Sequence, residues 1–96
     1  MENHELRRIG RYITMAGRNT ELKFEIINQI GVVSTGSGGW QLELNRVSWN
    51  GKEPKYDLRS WSPDHEKMGK GITLTEEDVV ALAELLAKEV EFLKED

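Results

Sequence analysis

No cysteine occurs in this 96-residue chain, which excludes disulfide staples and every zinc site built on thiolates. A domain of this length buries a smaller share of its surface than a larger one. With no covalent cross-link to compensate, association of copies is the remaining route to extra stability. No stretch approaches the ~18 consecutive apolar residues of a membrane span, and the first residues lack the apolar centre of a signal peptide. These absences lead us to expect a soluble cytoplasmic protein with no membrane partner, association with the nucleoid being left open. Histidine is scarce too. His4 and His65 come with no identifiable nucleophile or orienting partner, and Asp64-His65-Glu66, three consecutive loop residues, do not converge on one metal ion. The reading is therefore not an enzyme, with no metal or other cofactor.

The charge that is present is unevenly placed. From Glu76 onward eight acidic residues face two lysines, whereas residues 1 to 74 carry eleven basic against nine acidic. A net charge of −4 thus hides a slightly basic body and an acidic tail element.

Periodicity divides the chain into an N-terminal arm of uncertain order over residues 1–21, carrying Arg7, Arg8, Arg11 and Arg18, and a single domain over 22–96. Leu22, Phe24 and Ile26 alternate with Lys23 and Glu25, the signature of a half-buried strand, which Ile27 to Val33 prolongs through a bulge or bend. Ser34 to Gly39 is a turn or loop. A second strand runs from Trp40 to about Trp49 and a third from Lys55 to Trp61, joined through Asn50-Gly51, the strongest short hairpin signal. A loop over Ser62 to Gly71 precedes a short strand, Ile72 to Leu74. Thr75 then caps a helix whose first turn is Glu76, Glu77 and Asp78, acids that suit the positive end of the helix dipole. Val79, Leu82, Leu86, Val90 and Leu93 recur at spacings of three and four. With Val80, Ala83, Leu85 and Phe92 they form an apolar face too wide for one small sheet, so we expect a homodimer through the helix.

Strand alternation sorts the side chains into two faces. Leu42, Leu44, Tyr56 and Leu58 are expected to point at the core, with Trp40 sharing their parity. Asn45, Val47, Trp49, Lys55, Arg59 and Trp61 share the opposite face. Aromatic rings interleaved with basic groups suit single-stranded nucleic acid, whose bases stack and whose phosphates need neutralising. The same two tryptophans could instead be covered by the arm or a second sheet. Lys67 and Lys70 follow in the loop, where Gly69-Lys70-Gly71 is too short to be a nucleotide-binding motif by itself.

In order, GWQLELNRVSWNG, PKYDLRSW, MGKGITLT and an acid-capped apolar helix resemble the transcriptional coactivator family called positive cofactor four (PC4), particularly its short bacterial members. The resemblance covers about residues 22 to 93 and is strongest at Tyr56-Asp57-Leu58-Arg59 and Gly69 to Thr75. It implies an α+β fold, a strongly curved four-stranded antiparallel β-sheet followed by a C-terminal α-helix, dimerising through the helix. It also implies binding of single-stranded DNA with little sequence preference on the outer sheet face. Carried over, the aromatic position ending the second strand is Trp49, the basic position after the turn Lys52, the third-strand arginine Arg59, the aromatic after it Trp61, and the loop lysine Lys70. The basic, serine-rich tail of eukaryotic members has no counterpart here.

The expected nucleic-acid-binding set is Asn45, Trp49, Lys52, Lys55, Arg59, Trp61, Lys67 and Lys70, with single-stranded DNA or RNA as partner and transcription, repair or replication as setting. The alternative is a protein-interaction module using the Trp49/Trp61 face, since Trp and Arg are also hot-spot residues of protein interfaces.

Overall fold

The structure, a computed structural model, describes residues 9–14 and 21–95, with side chains from Lys23 onward. Among the described residues five strands precede one helix: β1 (Ile9–Thr14), β2 (Glu21–Thr35), β3 (Gln41–Trp49), β4 (Lys55–Trp61), β5 (Met68–Leu74) and α1 (Glu76–Lys94). Each strand pairs antiparallel with the next, giving an open meander in the order β1-β2-β3-β4-β5. The expected four strands are β2 to β5. Strand β1 is an addition, lying within the stretch read as an arm and pairing Ile9 with Ile26 through Thr14 with Glu21. The rest of that arm lies outside the described residues.

Strand β2 is long because it bends. Its register against β3 slips between Ile26 and Asn28, between Gln29 and Gly31, and between Val32 and Ser34. Each extra residue bends the strand and increases its twist. The result can be measured across the sheet. Phe24 pairs with Trp49 and Trp61 pairs with Gln41, at opposite ends of β3. Eight residues of flat strand would hold those positions about 26 Å apart. Their rings nevertheless sit 5.1 Å apart, centroid to centroid. The sheet is strongly curved, as the resemblance implies, and its concave face closes on itself.

That closure corrects the choice of core face. The register confirms the alternation, placing Val47 opposite Lys55, Glu43 opposite Arg59 and Leu44 opposite Leu58. The chain's own interior, however, is Phe24, Ile26, Val47 and Trp61, with Trp49 and Met68 packed against it. Leu42, Leu44, Tyr56 and Leu58 lie on the other, convex face and are only half-buried. Trp40 is half-buried and outside the core cluster, its ring lying beside Gly38 and Gly69. Curvature decides this outcome. On a coiled sheet the concave face brings distant side chains together, while the convex face spreads them.

Strand β5 begins at Met68, four residues earlier than expected, so Lys70 sits in a strand rather than a loop. The helix starts as the sequence indicates. Thr75 Oγ1 accepts a hydrogen bond from the Asp78 amide at 3.0 Å, and Asp78 Oδ2 accepts from the Thr75 amide at 3.0 Å, a reciprocal capping box. Replacing Thr75 with Ala is expected to cost about 0.5–2 kcal/mol, read as a lower thermal midpoint by circular dichroism, with Thr75→Ser losing little of it.

Candidate nucleic-acid interface

The β3–β4 hairpin carries the first pair of exposed lysines. Asn50 and Gly51 adopt φ of 54° and 75°, the left-handed geometry of a two-residue turn, and the Lys52 amide donates to the Trp49 carbonyl at 3.0 Å. The tip is fastened to β2. Asn50 Oδ1 accepts from the Lys23 amide at 3.1 Å, the Asn50 amide donates to the Lys23 carbonyl at 2.8 Å, and Ser48 Oγ donates to the Lys52 carbonyl at 2.6 Å. Lys52 and Lys55 therefore project from a fixed hairpin with their side chains in solvent.

Beyond the other end of β4, the loop over Ser62 to Lys67 is equally built. Ser62 Oγ donates to Asp64 Oδ1 at 2.8 Å and accepts from the Lys67 amide at 2.9 Å, while the His65 amide donates to the Ser62 carbonyl at 2.9 Å. His65 takes a positive φ of 59°, which a non-glycine residue adopts only when its surroundings hold it there. Here Glu43 holds it. The His65 Nε2–H faces both Glu43 carboxylate oxygens at 3.0 Å, and Glu43 Oε1 also accepts from Asn45 Nδ2 at 3.1 Å. Lys67 and, on β5, Lys70 are exposed.

Between these two ends, the remaining expected contacts are committed to the fold. Trp61 is 0 % exposed and Asn45 1 % exposed, so neither presents a surface to a ligand here. Arg59 makes a two-pronged pair with the buried Asp57 carboxylate, Nε to Oδ2 at 2.7 Å and Nη2 to Oδ1 at 2.8 Å. Its guanidinium also lies 5.0 Å from the Trp49 ring centroid and donates to the Gly69 carbonyl at 3.4 Å. A Cβ on Gly71, directly opposite Arg59 in the ladder, would collide with Arg59 Cβ and the Leu58 carbonyl oxygen. The second glycine of Gly69-Lys70-Gly71 is thus explained by strand packing, not by close approach of a phosphate. Trp49 is half-buried, with Phe24 at 6.0 Å on one side and Arg59 on another.

Two residues that the face analysis left out prove structurally central. Glu43 shares the parity of Asn45, Val47 and Trp49, a legible signal, whereas His65 meets it from 22 positions away and had none.

The family model described as Transcriptional Coactivator p15 (PC4) matches residues 37–85, from within the β2–β3 connection to the middle of α1. A protein of Treponema pallidum (strain Nichols), itself uncharacterised, is 52% identical over 68 residues, covering 71% of this chain and 80% of that one. The chain belongs to the PC4 family. Nucleic-acid binding comes with that membership. The matched span contains the Asn50-Gly51 turn, the Asp57–Arg59 pair and the His65–Glu43 pair, while Lys23 and Phe24 of β2, which fasten the hairpin tip and pack on Trp49, precede it.

Proposed function

We propose that this chain is a homodimeric cytoplasmic protein that binds single-stranded nucleic acid, DNA before RNA, with little sequence preference and without catalysis. The observation that carries this reading is the charge left uncommitted on the sheet. Its concave-face acids, Glu43 and Asp57, are buried and paired, whereas Lys52, Lys55, Lys67 and Lys70 stand in solvent at the two ends of β4. A phosphate backbone crossing the sheet would meet these cations. Of the two tryptophans expected to stack, Trp49 is half-buried where Trp61 is fully buried, and a base stacked on Trp49 is worth ~1–3 kcal/mol. Arg59 acts by holding Trp49 in place, its own charge being met by Asp57.

The test is titration of a fluorescent oligo(dT) of about twenty nucleotides, with the same sequence as duplex for comparison, across a salt series. Counterion release predicts a log–log slope of about −0.7 per phosphate neutralised on a single strand. Four engaged lysines per subunit give about −2.8, and Lys55→Ala should lower the magnitude by about 0.7. Absence of binding at micromolar protein removes the proposal. A polypeptide partner retained without a salt slope would favour the protein-interaction alternative.

A further inference from the structure

Strand β1 adds an edge to the four expected strands, and its register gives that edge a place on the concave face. Residues directly opposed in an antiparallel pair share a face. Arg11 is opposed to Phe24, with Ile9 opposite Ile26 and Ile13 opposite Leu22. Phe24 and Ile26 belong to the concave core, so Ile9, Arg11 and Ile13 fall on the concave side and the residues between them on the convex one. Arg11 is the one charged residue of β1. The acids in the facing stretch of β2, Glu21 and Glu25, are opposed to Thr14 and Gly10, and so belong to the convex side. From β1 the ladder continues across the sheet. Phe24 is opposed in turn to Trp49, so one row runs from Arg11 through Phe24 to Trp49. The adjoining row runs from Ile9 through Ile26 and Val47 to Lys55.

Trp49 therefore lies between two cationic positions, Lys55 one strand away on β4 and Arg11 two strands away on β1. At about 4.8 Å between neighbouring strands, the second separation is about 9.6 Å, the length of about three nucleotides at ~3.4 Å per charge along one stacked strand. We propose that β1 widens the nucleic-acid face by one strand, the Arg11 guanidinium neutralising a phosphate on the far side of the base held by Trp49. The inference rests on the single-strand reading above and adds a direction to it, the backbone crossing the strands from β4 to β1. Contacts to phosphate carry no base information, so this one adds affinity and leaves the sequence tolerance unchanged. The competing use of an arginine there is structural, its aliphatic stem covering apolar neighbours. That use adds stability without adding salt dependence.

Titration of oligo(dT) across a salt series separates the two. With Arg11 engaged, the four-lysine slope of about −2.8 becomes about −3.5, and R11Q should lower its magnitude by about 0.7 while Arg11→Lys keeps it. A native slope in R11Q overturns the inference and leaves single-strand binding intact, whereas absence of binding by the native protein overturns both. An R11Q variant that binds more weakly at every salt concentration with an unchanged slope assigns Arg11 to holding the sheet edge, and also overturns the inference. Should R11Q not fold, the native protein decides. Bound oligo(dT) should slow the modification of Arg11 by phenylglyoxal several-fold, read by peptide mass spectrometry. An unchanged rate, or an Arg11 that does not react in the free protein, overturns the contact.

Discussion

Trp61→Ala is expected to destabilise the chain by about 3–5 kcal/mol, the usual cost of truncating a buried large aromatic. Small domains carry only about 5–15 kcal/mol in total, so most of the stability would go. Trp61 is 0 % exposed and makes ring contacts with Phe24 at 5.1 Å and His65 at 5.5 Å, joining β4, β2 and the following loop. Removing it deletes the keystone that keeps the concave face closed. Chemical denaturation followed by circular dichroism reads the loss, and Trp61→Phe, which keeps a ring, should recover part of it. The Trp61 Nε1–H is buried without a partner among the described residues, so Phe would also remove an unsatisfied donor and should come closer to the native stability than its lost volume suggests. A Trp61→Ala variant with native stability and selectively lost oligonucleotide binding would return Trp61 to the role of a stacking contact.

The contrast between that expectation and the surface role that strand parity suggests shows what the sequence makes legible. Alternation correctly sorted β3 and β4 into two sets, because side chains of an extended strand must alternate whatever the fold. Which set closes first is a matter of curvature. Both sets contain large apolar groups, Leu42, Leu44 and Leu58 against Val47, Trp49 and Trp61, so composition does not choose between them. The choice is made by the slips in the β2 register, and the position of a bulge depends on the partner strand, which lies elsewhere in the sequence. Glu43, Asn45 and Asp57 added to the difficulty, since charged and amide groups are usually exposed. They tolerate burial because each is met by a partner; the Asp57–Arg59 and Glu43–Asn45 contacts, two positions along one strand, lie within reach of a local reading, whereas the Glu43–His65 contact does not. The Asn50-Gly51 turn and the Thr75 cap were legible because their physics is local. Strand β1 was not. Its pairing with β2 depends on the long-range ladder rather than on any clean alternation of its own.

Leu86→Glu is expected to convert the proposed homodimer, about twice 11.0 kDa, into a monomer at micromolar concentration, with affinity between copies falling by more than about a hundredfold. The helix spans 19 residues yet none of them is buried, and Leu82, Leu85, Leu86, Val90 and Leu93 are between 36 % and 64 % exposed. Helix α1 touches the sheet only lightly, at β4 and β5. A helix of this length gains most of its stability from packing an apolar face. On the sheet, Leu42, Leu44 and Leu58 are half-buried and Ile72 is 53 % exposed, all on the convex face away from Trp61. Two apolar surfaces thus remain after the concave core has closed, and a second copy of the chain offers both again. Glutamate has nearly the helix propensity of leucine, so the substitution should leave the helix itself competent and act on association. Because a dimer that binds only when folded couples stability to concentration, the native protein should melt higher as its concentration rises, and the variant should not. Sedimentation velocity together with that melting series decides the matter. A native monomer whose midpoint is independent of concentration would leave the helix face without a second copy, and a Leu86→Glu variant still at twice the chain mass would move the association to another surface.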